Sequence, residues 1–289
     1  MTILYKYYSY AGGKAALKSQ NLGFRKPEFF NDPFELTALS NSVGPISKQE
    51  TLKRRIDQLK DQVAILCLTR SAVNPLMWAH YADQHQGFVI GYDTSGPFLN
   101  SPEYNLITVD SGDVLYTNTK TPFALNPESM EALNGVYQHA MGLEVAADRA
   151  LARRLFLTKH ASWVYEEEVR VVKKVLDWTQ TVEDDQSDPL RSFYMLTRDL
   201  GPEEMPGVNF EPGYFVAPLN DNARELYLFN HKMPIREVYL GARSTFVNDP
   251  EFASTFQLQC QVFQLDVNQT SWSFEKRQLT LDDAEADRS

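Results

Sequence analysis

The chain lacks most of the features that announce a function. It has two cysteines, Cys67 and Cys260, each inside an apolar run (AILCL and LQCQVFQL) and far apart in sequence. That excludes a disulfide framework and leaves buried free thiols of a reducing compartment as the expectation. The five histidines, at 80, 85, 139, 160 and 231, show no ligand spacing; His80 and His85 are five apart and fall on different helix faces, so no metal site is expected. There is no Gly-rich phosphate loop ending in Lys-Ser/Thr, no nucleophile elbow and no HExxH. No apolar run approaches a membrane span, and the opening MTILYKYYSYAGGK lacks the charged-then-apolar pattern of a leader, so a cytoplasmic protein that makes no use of a membrane is expected. Positive charge is also short: 28 Lys and Arg against 38 Asp and Glu give a net charge of −10. That field repels nucleic-acid backbones and anionic membranes except at a local basic patch.

What is present is a core. Hydrophobic residues make up 43% and aromatics 12%, enough for a large buried interior. ILYKYYS reads as a strand with Ile3, Tyr5 and Tyr7 on one face and Leu4, Lys6 and Tyr8 on the other. Gly12-Gly13 then breaks it before a short helix, KAALKSQ. FRKPEFFNDPFEL holds an Asn31-Asp32-Pro33 turn between Phe29, Phe30 and Phe34. Ser47 with Glu50 forms a capping-box signature for KQETLKRRIDQLKD, a charged, surface-lying helix. VAILCLT (63–69) is a continuous apolar run, the mark of a central strand buried on both faces. Asn74-Pro75 supplies an N-cap and first-turn proline for LMWAHYADQHQ, which Gly87 ends before the strand FVIGYD.

Further along, a strand is expected around LITVDSGDVLYT, a long helical region from about 127 to about 159, and a late strand in WVYEEEVRVVKKV. The acidic, Pro- and Gly-rich stretch at about 177–213 reads as an inserted lid. IREVYLG, NDPEFASTFQ and CQVFQLDV form a strand–helix–strand unit. The expected organisation is one α+β domain over 1–277, with a central mixed sheet and flanking helices, followed by a flexible acidic tail at 278–289.

Two stretches invite chemistry. In the helix after Pro75, Trp78, Tyr81 and Ala82 follow core spacing, whereas His80, Asp83 and Gln84 face the other way. In YEEEVRVV, alternation places Glu166, Glu168 and Arg170 on one face. Such a group is either strand-surface charge or a cleft-facing carboxylate, steadied by Arg170 or Lys6, that stabilises a cation developing in a substrate.

LYKY, FNDPFE, MWAHYAD with GFVIGYD, K…W.YEEEVR and VYLG, in this order over residues 3 to 243, resemble the bacterial domain-of-unknown-function family 2971. A second resemblance is to ADP-ribosyltransferases. There a basic residue or histidine on the first strand holds NAD, a Ser/Thr-containing strand braces the site, and a Glu, often in Glu-x-Glu, stabilises the oxocarbenium ion formed as nicotinamide leaves. The matching positions are Lys6, where the family has Arg or His, then Thr69 and Ser71, then Glu166-x-Glu168. The resemblance implies an ADP-ribosyltransferase-like fold and an enzyme that consumes NAD as substrate, with Glu168 as the essential carboxylate and Glu166 its partner. Lys6, Tyr7, Thr69, Arg70, Ser71, Trp78, His80 and Tyr81 become candidates for holding NAD. An anti-phage effector or toxin acting on a macromolecular acceptor, held in check by an antitoxin or partner protein, fits this reading. A non-catalytic binding or sensor module using the same cleft is the alternative. The two differ on one point: the enzyme needs Glu168 facing a cleft near Lys6 and Ser71.

Overall fold

The computed structural model describes residues 2–103, 105–138, 143–174, 226–228 and 231–282. The expected lid at 177–213 and the end of the acidic tail lie outside the described residues.

In chain order the strands are β1 (Ile3–Tyr8), β2 (Gly23–Arg25), β3 (Ser42–Val43), β4 (Val63–Thr69), β5 (Phe88–Asp93), β6 (Leu115–Thr117), β7 (Phe123–Ala124), β8 (Thr158–His160), β9 (Glu168–Lys174), β10 (Leu226–Leu228), β11 (Ile235–Leu240), β12 (Gln261–Val267) and β13 (Phe274–Leu279). Nine of them form one mixed sheet in the order β10-β2-β4-β1-β5-β11-β12-β13, with β9 also paired to β4. Among the described residues only β11 and β12 run parallel in it; a short helix, Phe252–Thr255, lies on the connection between them. β3 pairs β7, and β6 pairs β8, as small separate ribbons.

VAILCLT is the central strand that its continuous apolar run implies: β9 pairs its whole length on one edge, from Val63 opposite Lys174 to Thr69 opposite Glu168. Its other edge is divided. β1 touches it at Thr69 through Tyr5, and β2 at Ile65 through Arg25. In the splay between those bridges the Lys6 ammonium donates to the Cys67 carbonyl (3.3 Å), replacing a ladder bond that no strand supplies.

Alternation along β4 sends Ala64, Leu66 and Leu68 into one core, with Ala16 and Leu17 of helix α1 (Tyr10–Ser19). Val63 and Ile65 point into a second, built with α2 (Ile46–Gln62), and with two further helices introduced below. A smaller cluster surrounds Trp78 on α3 (Pro75–Tyr81). A single-turn helix, α4 (Pro97–Asn100), follows β5.

The structure corrects several expectations. α1 begins at Tyr10, capped by the Ser9 hydroxyl, and contains Gly12-Gly13 rather than following them. Gly13 is needed for close packing, since a Cβ there would lie 2.2 Å from the Phe88 ring. α2 starts after Pro45 with no side-chain cap, so Ser47 caps nothing; Leu52, Ile56 and Leu59 form a buried stripe on a helix whose charge suggested a surface one. The helical region beyond 127 is two helices, α5 (Pro127–Gln138) and α6 (Ala146–Phe156), and ends in β8. Of LITVDSGDVLYT only Leu115–Thr117 is a strand. α3 is capped by Asn74 as its sequence implies, the Asn74 Oδ1 accepting from the amides of Leu76 and Met77. It stops at Tyr81, however, and Asp83, Gln84 and His85 follow with φ of 53°, 53° and 71°. Gly87 serves β1 instead: a Cβ there would sit 2.0 Å from the Tyr8 carbonyl oxygen. β13 runs from Phe274 to Leu279, which is buried, two residues into the expected tail.

Candidate functional site

YEEEVRVV is not one continuous strand. Residues Ala161–Glu166 form a 3-10 turn, Glu167 takes a left-handed conformation (φ 44°), and the strand begins at Glu168. The kink preserves what alternation suggests: Glu166, Glu168 and Arg170 still converge, now in the interior between β9 and the ribbon of β6 and β8.

Three further residues complete the arrangement. Tyr116 and Lys159 are register partners across β6 and β8, so their side chains leave the same face of that ribbon. The Lys159 ammonium donates to Glu166 Oε2 (2.5 Å) and Glu168 Oε2 (3.2 Å). The Tyr116 hydroxyl accepts from the Glu168 amide (2.9 Å). Glu35 arrives from the Asn31-Asp32-Pro33 turn, in which Asp32 Oδ1 accepts from the Phe34 amide (2.9 Å). Its two oxygens accept from Arg170 Nη1 and Nη2 at 2.9 and 2.6 Å. Arg170 also donates through Nε to Glu168 Oε1 (2.9 Å) and through Nη1 to the Phe156 carbonyl (2.8 Å). The rationale of FNDPFE is now visible: the turn aims a carboxylate at a guanidinium in the fork-to-fork geometry that pairs best.

All five charged groups are buried, Arg170 completely. Burial alone would raise the Glu168 carboxyl, but Arg170 and Lys159 outweigh it and hold the group at about 2. Glu166 goes the other way: burial raises it, and Lys159 recovers only part of that. Burial opposes the charge on Lys159, yet Glu168 and Glu166 raise its affinity for the proton.

Toward the surface, Glu166 Oε1 accepts from the Tyr81 hydroxyl (2.6 Å), which itself accepts from the Asn31 amide (3.0 Å). An aromatic rim surrounds this end. His80 lies 6.3 Å from Tyr81 and 6.1 Å from Tyr165, Trp163 lies 6.2 Å from Tyr165, and the Lys159 ammonium sits 4.9 Å over Trp163.

The sequence candidates divide accordingly. Glu166, Glu168 and Tyr81 are brought together, with His80 at the rim. The others make their contacts elsewhere. Lys6 leaves β1 on the side opposite Tyr5 and Tyr7 and fills the strand splay. Tyr7 is buried edge-on to Trp78, its hydroxyl donating to the Ser71 carbonyl. Trp78 is fully buried, with Nε1 donating to the Ala72 carbonyl. The Thr69 hydroxyl accepts from the Ser71 amide and that of Ser71 from Val73. Arg70 pairs on the surface with Asp113 (2.5 Å). Glu168, expected to face a cleft beside Lys6 and Ser71, has both its oxygens taken by cations and is 6% exposed.

Sequence spacing does not single out Lys159, Glu35 or Tyr116. The only available signals are Glu35 closing an aromatic-flanked turn motif and Lys159 preceding the glutamate run. Among the described residues, no group of three or more His, Cys, Asp or Glu is placed to hold a metal ion, and no helix is long and apolar enough to cross a membrane.

The family described as "Protein of unknown function (DUF2971)" matches residues 77–171. That span starts in α3 and ends in β9, so it contains Tyr81, Tyr116, Lys159, Glu166, Glu168 and Arg170. No curated protein and no solved structure matches the chain.

Proposed function

We propose that the chain is an ADP-ribosyltransferase-like enzyme that cleaves the bond between nicotinamide and ribose in NAD. In this reading Glu166 is the reacting carboxylate and Glu168 holds the charges around it. The observation that carries the reading is the different setting of the two carboxyls: Glu168 is clamped from both sides by Arg170 and Lys159, whereas Glu166 shares Lys159 and turns its other oxygen to the Tyr81 hydroxyl at the rim, with burial raising its proton affinity. Paired carboxyls whose surroundings push them apart are a common basis for dividing roles in a site.

The chemistry follows from charge. As the glycosidic bond breaks, its electron pair goes to the nicotinamide nitrogen and the ribose becomes cationic; an ionised Glu166 stabilises that cation until an acceptor attacks the same carbon. Glu166 is 4% exposed, so Tyr81 turns aside to admit the ribose, and the rim of His80, Trp163 and Tyr165 supplies faces for the departing ring. Lys159 keeps Glu166 ionised and so favours activity.

The test is nicotinamide release from NAD by the full chain. Glu166→Gln should reduce it about a hundredfold or more, the scale of one lost electrostatic partner, in protein whose circular dichroism shows that it is folded at the assay temperature. Release should increase with pH through a midpoint above the ordinary glutamate range, because the carboxyl must be ionised. Wild-type protein that neither releases nicotinamide nor melts higher with NAD present would sink the reading. It would favour instead a non-catalytic binding module, which the closure of Glu168 in its ion pairs already suits.

A further inference from the structure

The opposite face of the β6–β8 ribbon opens on a cavity of about 620 Å³ that plays no part in the reading above. Alternation separates the two sites: Tyr116 and Lys159 turn toward the carboxylates, while Leu115, Thr117 and Thr158 line the cavity. Its volume lies within the range of small-molecule sites. Its charge runs against that of the chain. Lys120, Arg153 and Arg154 line it, and the one acid in its wall, Asp113, is already paired with Arg70.

The three cations differ in how free they are. Arg154 donates to the carbonyls of Thr121 and Pro122 and stacks on Phe123, 5.2 Å from the ring centre, so it holds the wall together. Lys120 donates to the Thr37 hydroxyl (2.8 Å) and stands 5.8 Å over Phe34, whose ring is 60% exposed. Arg153 is exposed and makes no ion pair among the described residues. An exposed arginine, a lysine held by one hydroxyl and one ring, threonine hydroxyls and apolar flanks at Leu115 and Leu157 suit an anion carried on an apolar body. Phe34 lies outside the cavity lining but beside its lysine, and its exposed ring offers a stacking face at that edge.

We infer that this cavity binds a small phosphate-bearing molecule of the nucleoside phosphate class, with Arg153 and Lys120 on the phosphates and the base toward Phe34. The site stands whether or not NAD is cleaved at Glu166, because no side chain is shared between them.

Calorimetric titration of the full chain with ADP, pyrophosphate and adenosine tests it. ADP should bind in a salt-sensitive manner and adenosine at least about tenfold more weakly, since adenosine forfeits the charge-assisted contacts. Arg153→Ala and Lys120→Ala should each weaken ADP binding about tenfold at unchanged melting temperature, with Arg153→Lys recovering part of the loss. Glu166→Gln should leave it unaltered. Equal affinity for adenosine and ADP, full ADP binding in both alanine variants, or no ADP binding at millimolar concentration would each overturn the assignment, and none of them bears on nicotinamide release.

Discussion

Replacing Arg170 by Met keeps the length of the side-chain stem and removes the charge on which two buried carboxylates depend. In the native protein Glu168 is held at about 2 against an ordinary 4.5, which corresponds to about 3 kcal/mol of stability at neutral pH. A carboxyl held below its ordinary value contributes that stability above about 4.5 and loses it as pH falls toward 2. In the variant, Glu35 and Glu168 remain buried, Glu35 without its partner and Glu168 with Lys159 as its remaining ion pair. Breaking a buried pair in this way costs about 3–5 kcal/mol, consistent with the figure from proton affinity. The loss is greatest at pH 7 and shrinks with acidification, because Glu168, no longer held down by Arg170, takes up a proton at higher pH than it does in the wild type. Urea unfolding followed by tryptophan fluorescence between pH 7 and 4 reads the difference directly. A penalty under about 1 kcal/mol at pH 7, or one that does not change with pH, would refute the electrostatic account. Replacing Glu35, Glu168 and Arg170 together by apolar residues of similar size should recover most of the stability, as removing all partners strands none.

Asn74→Ala removes the cap of α3 and the bond from Asn74 Nδ2 to the Tyr165 carbonyl (2.8 Å). A loss of about 1 kcal/mol is expected by chemical denaturation, with faster amide exchange in both α3 and the 161–166 turn. Gly87→Ala forces a methyl against the Tyr8 carbonyl oxygen of β1. A loss of about 1–3 kcal/mol should follow, together with weakened exchange protection along β1 and β5; an unchanged melting temperature would contradict the close approach.

Local and short-range properties were legible in the sequence. The unbroken apolar run of VAILCLT implies a strand covered on both faces, and it is the one that pairs β9, β1 and β2. Asn74-Pro75 marks the start of α3 because capping involves only neighbours in the chain. IREVYLG, a helical connection and CQVFQLDV read as a strand–helix–strand unit, and β11 and β12 are its two strands. The grouping of Glu166, Glu168 and Arg170 was also readable, since it depends on two-residue alternation that a single left-handed residue at Glu167 does not destroy.

Partners distant in sequence were decided only by the tertiary structure. Tyr7 and Trp78 look the same in a core stripe and in a ligand-binding wall; the depth of packing between β1 and α3 makes them core. Lys6 looks like a cofactor ligand until β1 and β4 diverge and leave the Cys67 carbonyl needing a donor. Glu35 and Lys159 have no sequence mark of their importance, because what gives each its role is a charge brought up from another part of the chain. Local patterns in the chain set the central strand, the start of α3 and the face on which charge gathers. Whether that charge stands open to a substrate or closes on itself was determined by the ribbon of β6 and β8, which carries Lys159 to the glutamates, and by the turn that carries Glu35 to Arg170.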